Sequence, residues 1–597
     1  MECLKTDVLV VGGGTGGTAA AIQAARRGVN VILVSEFSWL GGMLSAAGVS
    51  APDGNELLAF QTGLWGAFLQ ELQRRQVGGL DHAWVSFFTY EPAIAAAIFA
   101  DWVRSLPKLH WIAGQTPQEV LRQGDRVMGV RFESCLVKAK VTLDGTELGD
   151  LLALGEVPYR WGWEWRAEFG EPSAPEHPNQ LTDCYPVQTP TWVVVMQDNG
   201  AANQAAKIPA PDGVSFCDFE PVFEQYEPLD FMNYGRLPGN RFMINWPNHG
   251  NDYGRDLNRL IQSAEQRLAF FQEAMRYSQA FAHFIQQHLG DRYGLANDTF
   301  PTGASPLGGG AFALHPYFRE SRRLVGLSTV HEQDILPQQG GCVAPLPVND
   351  EGIVEAIAFG NYANDHHYPN MTLPLRSKSI RWGGRWTGTP FALPYRCLVP
   401  STVTGLLVCE KNISVSHIAN GATRLQPVVL GIGQAAGMAA ALCVEAGCDP
   451  AALPVQRLQD ALLTDPVAPA ALVPCWNLPP QHPEWLHWQR YYLRHPEAYP
   501  QHGNAAIARP CSTQISAPPA WEFQGTFRYR GVQDYALEVT HPQELRGKTL
   551  QLVTLDAAVN EVMQSLPNDI PLKLEGRFNP AGNWLKVDNI SSLPRSS

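Results

Sequence analysis

Residues 12–17 read Gly-Gly-Gly-Thr-Gly-Gly, and Gly12, Gly14 and Gly17 fall on the G-x-G-x-x-G spacing of a phosphate-binding turn. Each glycine has its own job there. Gly12 permits a tight turn out of a strand, Gly14 lets backbone approach a pyrophosphate, and Gly17 lets a helix pack close to that strand. Gly13, Thr15 and Gly16 complete the turn and the helix start, whose free N–H groups and dipole attract phosphate. Glu36 follows at close to the expected spacing of about 20 residues, where a carboxylate accepts hydrogen bonds from a ribose diol. An acid rather than an arginine at that point disfavours a 2′-phosphate, and so NADP.

The elements that must position these residues are equally legible. Asp7–Val11 (DVLVV) is a β-branched run suited to a buried parallel strand. Thr18–Arg27 is a helix of small residues ending at Gly28, and Val29–Val34 is a second apolar strand with Glu36 just beyond it. Together they form a β-α-β unit. The pattern by itself serves NAD and FAD equally.

A second set of motifs lies near the other end. Gly405–Cys409 reads as a buried strand, and Val428–Leu442 as a tightly packed helix of small and apolar residues. Between and within them stand Ile413-Ser414, Gly421, Arg424, Pro427 and Gly433-Gln434-Ala435-Ala436-Gly437. Taken with Glu36–Ser45 (EFSWLGGMLS), Thr89–Pro92, Asp144–Asp150, Tyr159–Gly162, Pro316–Arg323 and Pro394–Leu398, these resemble the FAD-dependent oxidoreductases of the glutathione-reductase-like superfamily, in the branch labelled xanthan lyase-like. The resemblance covers about residues 5–450. It implies a Rossmann-type FAD-binding domain in which Gly41, Gly42, Met43 and Ser45 run close to the flavin. By the same resemblance Pro117 faces the adenine, and Gly433, Gln434, Ala435 and Ala436 start a helix aimed at the cofactor. Glu410-Lys411 departs from the family, where a small residue or Gly and then Arg or Asp stand.

In such a protein FAD supplies the redox chemistry, while side chains bind, orient and move protons. His417, just before the second helix, is the candidate acid/base, set against an ordinary loop-ordering histidine. Arg319 belongs to the densest basic cluster, with Arg322 and Arg323. It is a candidate anchor for a carboxylate or enolate, against plain salt bridging to Glu320 and other acids. Arg424 can face the reduced flavin edge or brace the helix start. His366-His367 with Asp365 lacks the spacing of a metal site, so no metal is expected. Trp161, Trp163 and Trp165 alternate, as a stacking platform on one strand face or core packing would.

The chain has 597 residues, 45% hydrophobic and 17% charged, with a net charge of −13. This balance is that of a globular protein and excludes general disorder. The acidic excess argues against a nucleic-acid binder. Eleven cysteines without C-x-x-C pairs suit reduced thiols and a cytoplasmic location. No secretory signal opens the chain and no apolar run is long enough to predict membrane insertion.

The expected fold is α/β. Residues 1–155 form the first part of the FAD-binding domain, 156–390 a mainly inserted α+β substrate domain, and 391–450 the C-terminal part of the FAD-binding domain. Residues 451–520 are a helical region and linker, and 521–597 a small all-β, barrel-like and OB-like domain that is a possible protein-partner or self-contact surface. The functional expectation is hydride or electron transfer between FAD and a small or medium organic substrate, with an unidentified electron acceptor or donor. The competing reading is a polysaccharide- or partner-binding protein with a structural flavin.

Overall fold

The computed structural model of the protein describes residues 2–338, 340–508 and 521–592. The chain opens on β1 (Glu2–Val11), α1 (Thr15–Arg27) and β2 (Val31–Ser35). β1 pairs in parallel with β2, in the register Val8 to Val31, because the runs VLVV and VILV are apolar on both faces. The sheet continues with β3 (Leu109–Ala113), β4 (Glu119–Gln123), β5 (Arg126–Arg131) and β6 (Cys135–Asp144) in the order β3-β2-β1-β6-β5-β4. β7 (Leu406–Val408) returns more than 250 residues later to pair in parallel with β6. The parallel strands β3, β2, β1, β6 and β7 form the Rossmann-type layer, while β4 and β5 make an antiparallel excursion.

Two helices follow β7: the short α2 (His417–Thr423) and the long α3 (Gln426–Ala446). Ser416 caps α2 by accepting a hydrogen bond from the Ala419 N–H at 3.0 Å. Pro427 stands in the first turn of α3, where its missing N–H costs nothing. α3 is apolar and long enough to cross a membrane, but it is buried in the protein core against α1.

Between these two parts a four-stranded sheet of Tyr293–Leu295, Val194–Asp198, Arg241–Ile244 and Arg236–Leu237 is covered by the 26-residue helix Ala264–Leu289. Their apolar residues, Trp192, Phe219, Phe231, Phe270 and Phe281 among them, form cores apart from the first. From Leu324 onward the chain rejoins the first core through Val330, Ile335 and Ala356–Phe359. The chain thus packs on the first core well before residue 390, and the second core also takes in Met43, Ala46, Leu148 and Val429. Trp161, Trp163 and Trp165 lie outside any strand, so their alternation does not set them on one sheet face.

The last described segment holds five strands: β8 (Trp521–Gly531), β9 (Asp534–His541), β10 (Thr549–Val553), β11 (Pro571–Asn579) and β12 (Trp584–Ser592). They close in the order β8-β9-β10-β12-β11, and α4 (Ala557–Ser565) lies in the chain between β10 and β11. Phe523, Phe527, Tyr535, Leu574 and Leu585 fill its interior. The final part of the expected linker, 509–520, lies outside the described residues.

This barrel does not stand apart. Val553, Leu555 and Trp584 belong to the main core. The hairpin Ser379–Gly388 reaches it through Gly383 and Gly384, where a Cβ on Gly384 would run into the Leu552 carbonyl oxygen. Gly383 donates to Gln533 Oε1 at 2.8 Å and accepts from the Thr554 N–H at 2.8 Å. Arg385 places its guanidinium over Phe87 at 4.5 Å and over the barrel's Trp584 at 4.9 Å. Asp81 accepts from Asn579 and Trp584.

Gly384→Val is therefore expected to loosen the barrel, since φ is +86° at this position and the added atoms meet backbone. Overpacking of this kind costs about 1–3 kcal/mol. Thermal unfolding should show a lowered transition, whereas an unchanged transition would mean that the barrel contributes nothing to the stability of the body.

Candidate active site

A cavity of about 470 Å³ opens at the end of β1. Its wall includes Gly12, Gly13, Gly14, Glu36, Pro117, Glu147, Trp192 and His315. Gly12 adopts φ +105°, and a Cβ there would collide with Gly145. A Cβ on Gly14 would lie 2.7 Å from Glu410 Oε2 and 3.1 Å from Glu147 Oε1. A Cβ on Gly17 would strike the Gly12 carbonyl oxygen. The three glycines thus hold the close approach that a dinucleotide cradle needs.

Glu36 lies deep at the cavity wall, yet open to its interior, and its carboxyl has no hydrogen bond among the described residues. Burial, together with nearby Asp150 and Glu147, pushes it up to about 7, while Arg267 opposes the shift. A free carboxylate at the end of β2 fits a ribose diol. Asp150 below it is held by Arg267 at 2.8 Å and Arg322 at 3.0 Å.

The start of α1 already holds an anion. The Gly16 N–H donates to Glu410 Oε2 at 2.6 Å. Lys411 Nζ lies between two acids, donating to Glu147 at 2.6 Å and Glu410 at 2.9 Å. Burial pushes Glu410 up to about 7 even beside this lysine. The helix start thus attracts negative charge as phosphate chemistry requires, and the departure Glu410-Lys411 lies directly on it.

The other expected cofactor residues have different surroundings. Thr15 donates through Oγ1 to the Gly41 carbonyl at 2.8 Å, and Gly41 and Gly42 both take positive φ as the chain turns behind α1. Met43 is buried among apolar side chains, and Ser45 donates to the Leu40 carbonyl at 2.6 Å. Gly433 packs on Gly16, where a Cβ would meet the Gly16 Cα at 2.7 Å. Gln434 accepts from the Leu64 N–H at 2.9 Å and donates to Gln23 and Ala468. Ala435 and Ala436 are fully buried in the core. The structure therefore sets Gly433–Ala436 in helix packing, away from the cavity wall, because small residues let α3 approach α1.

Arg319 and Arg424 are brought together in one buried network, and His417 stands in a second one beside it, with His366 close to both His417 and Arg424. Arg424 donates to Tyr317 Oη at 2.6 Å and to Asp365 Oδ2 at 2.9 Å. Asp365 also meets His367 Nε2 at 2.6 Å, and Arg319 donates to Asp252 at 3.0 Å and to the Thr189 carbonyl at 2.5 Å. Burial opposes ionisation of Asp365, but His367 and Arg424 hold it far below the ordinary carboxylate range. Asp365 is deep, yet 37% of its side chain remains accessible, so it borders an internal space.

The His417 ring lies 3.9 Å from the Trp163 ring. His417 Nδ1 meets Glu320 Oε1 at 2.9 Å and Nε2 meets Tyr368 Oη at 2.5 Å. Tyr368 Oη also meets His366 Nδ1 at 2.8 Å, and His366 Nε2 meets the Ile418 carbonyl at 2.9 Å. A carbonyl only accepts, so His366 Nε2 carries a proton. Burial and the neighbouring His417 push His366 down to about 3, so the ring is neutral and its Nδ1 accepts from Tyr368. The Tyr368 oxygen then accepts from His417 Nε2, and Glu320 accepts from His417 Nδ1. Burial opposes ionisation of Glu320, but His417 and Arg323 hold it below the usual carboxylate range. Both His417 nitrogens are thus donors to protein groups. Arg323 is itself occupied by Glu164 at 2.7 Å and Glu320 at 3.0 Å.

Sequence reading found the arginines and His417 but not Asp252, Asp365 and Tyr368 as their partners. These come from segments that only the fold brings together, and no local pattern marks them. No group of three metal-ligating side chains occurs among the described residues.

A sequence model described as "FAD dependent oxidoreductase" matches residues 7–462. Among solved structures, Aquifex aeolicus GidA is 16% identical over 24% of this chain and 24% of its own, with a TM-score of 0.20. The myxobacterial FAD-dependent halogenase CndH is 17% identical over 33% of this chain and 45% of its own, with a TM-score of 0.22. The p-nitrophenol 4-monooxygenase PnpA of Pseudomonas putida is 13% identical over 41% and 69%, with a TM-score of 0.24. The chain thus spans under half the length of the first two.

Gly14→Val is expected to purify with little or no FAD, because valine fills the space between Gly14 and the acids facing it. Full FAD content in that variant contradicts the assignment. Because ionised Glu36 is the better acceptor for a ribose, FAD affinity should rise with pH through about 7. One unit below that value binding should be about tenfold weaker. Titration of FAD into apoprotein should show this dependence in the wild type and a flatter one in Glu36→Gln.

Proposed function

The chain belongs to the FAD-dependent oxidoreductase family, and from that premise we propose that it transfers hydride between FAD and a small or medium organic substrate in the space bordered by Asp365 and Arg424. As a member of that family the protein is an enzyme and its cofactor is FAD. The observation that supports the reading most is the convergence of Arg319 with Arg424 and His417, from two distant segments, on two adjoining buried networks.

FAD, when bound, accepts or donates the hydride. Gly12–Gly17 and Glu36 hold its nucleotide part. Arg424, anchored by Tyr317 and Asp365, presents a fixed cation that stabilises negative charge developing beside it. Arg319 braces Asp252 and, through it, His367. His417 has no free nitrogen for a substrate, so it acts as a positioning residue. Paired with Glu320, it orients Tyr368. The insertion closes the space and keeps water out. Placement in the xanthan lyase-like branch of the glutathione-reductase-like superfamily accords with the motifs of Pro316–Arg323 and Ile413–Gly437. The OB-like barrel serves this enzyme as an internal brace through Arg385, with partner or self-contact left to its outer face. A cytoplasmic setting suits the unbridged cysteines.

Purified protein should be yellow, release FAD on denaturation, and be reduced anaerobically by an organic substrate. His417→Gln should retain FAD and reduce about 10²–10³-fold more slowly, the range for loss of one fixed electrostatic contact in a dry site. Equal rates in variant and wild type would confine His417 to a structural role. FAD that dithionite reduces but no organic substrate does would favour a binding protein with a structural flavin.

A further inference from the structure

Asp53 belongs to none of the motifs above, and its surroundings are unusual. It precedes Gly54, at φ +83°, and Asn55, a non-glycine residue in the left-handed region at φ 46°. This strained turn is clamped. The Asn55 N–H donates to Asn361 Oδ1 at 2.9 Å and the Asn361 N–H returns a bond to Asn55 Oδ1 at 3.0 Å. Trp65 Nε1 holds the Asn55 carbonyl at 3.1 Å, and Ser86 Oγ holds the Pro52 carbonyl at 2.5 Å. Backbone strain kept in place by so many bonds is characteristic of a residue that must be aimed.

The carboxyl so aimed has no hydrogen bond or ion pair among the described residues, although it lies deep in the protein and keeps accessible surface there. Buried carboxyls normally find partners. The charged groups that face it are only partly engaged elsewhere: Arg385 Nη1 and the Glu56 carboxyl have no hydrogen-bond partner among the described residues. Arg424 is committed to Tyr317 and Asp365. Arg385 donates to the Val85 carbonyl at 2.8 Å between Phe87 and Trp584. Burial and neighbouring Glu56 push Asp53 up to about 8, with Arg385 and Arg424 pulling against them and Asp365 adding to them. A base poised near neutrality exchanges protons best.

Two phenols share this space. Burial and then Asp53 raise Tyr234 and Tyr362 above the ordinary range, and neither hydroxyl has a hydrogen-bond partner among the described residues. Both polar atoms of the buried Asn364 amide are also without partners among the described residues. A carboxyl, two phenols and a carboxamide each suit hydroxyl groups, which donate and accept at once. The mixture of Asp53, Glu56 and Asp365 with Arg385 and Arg424 selects neither an anion nor a cation.

We propose that Asp53 takes the proton from a hydroxyl of a neutral, hydroxyl-bearing substrate as the carbon that carries it is oxidised. This rests on the oxidoreductase reading above. The C–H bond breaks with its electron pair passing to FAD as hydride, and the O–H bond breaks with its proton passing to the Asp53 carboxylate. A C=O bond forms, so the substrate loses two electrons and FAD gains them.

The test uses the FAD-loaded wild type and the near-isosteric Asp53→Asn, with anaerobic bleaching of the flavin band by glycerol, inositol, glucose and secondary alcohols. Lactate and putrescine serve as anionic and cationic controls. The inference expects bleaching by a neutral hydroxylated compound, at a rate that rises with pH through about 8. Asp53→Asn should keep its FAD and thermal transition, react about 10²–10⁴-fold more slowly and lose that pH limb. Difference infrared spectra of wild type against Asp53→Asn should show a protonated carboxyl that titrates near the same pH, independently of turnover. Equal rates and pH profiles, or bleaching by the charged controls alone, overturn the inference. FAD that dithionite reduces but none of the neutral alcohols does overturns this substrate class and leaves the cofactor assignment standing. Protein unable to bind FAD would instead remove the reading on which the inference rests.

Discussion

The whole arrangement depends on a layer of backbone-to-backbone contacts around α1, where there is no room for a Cβ. Gly17 lies against the Gly12 carbonyl, Gly12 against Gly145, Gly16 against the Cys409 carbonyl, and Gly433 against Gly16. Four segments, β1, the turn after β6, the turn after β7, and α3, therefore meet one helix at its N-terminal end. Interiors are packed like crystals, so adding one methyl group at this junction displaces main chain rather than side chains. At the same junction a free N–H group of α1, that of Gly16, holds the Glu410 carboxylate.

From this junction the charged interior follows. β7 leads through Ile413–Ser416 into α2, so His417 and Arg424 are set by the same packing that seats α3. The charges they meet, Glu320, Asp365 and through His367 Asp252, come from the insertion and its return. Buried charges are tolerated only when paired, and each arginine in the network has its acid. The barrel joins the same system through Arg385, which faces Asp53 and Glu56 while stacked on Trp584. A domain that composition and strand spacing set apart is thereby tied to the interior.

How much of this was legible in the sequence follows from the range of each interaction. The β-α-β unit is local: β-branched runs, glycines at fixed offsets and an acid beyond the second strand all act within about 36 residues. The five barrel strands were readable for the same reason, from alternation and turns. The role of Gly433–Ala436 was not, because small residues suit a ligand and a neighbouring helix equally, and only the fold shows α1 there. Asp53 carries no signal at all. Its meaning arises from Asn361, Tyr362, Arg385 and Arg424, more than 300 positions away. His417 was visible as a residue type, but its engagement by both Glu320 and Tyr368 was not.

The proposed reaction requires the nucleotide cavity and the space around Asp53, Asp365 and Arg424 to form one redox site. A crystal structure of the FAD complex tests it most directly. The adenosine end is expected against Glu36 and Pro117, the pyrophosphate over Gly12–Gly14, and the flavin ring bordering the Asp53, Asp365 and Arg424 side chains. A flavin ring that points elsewhere, with protein separating it from those three side chains, would contradict it.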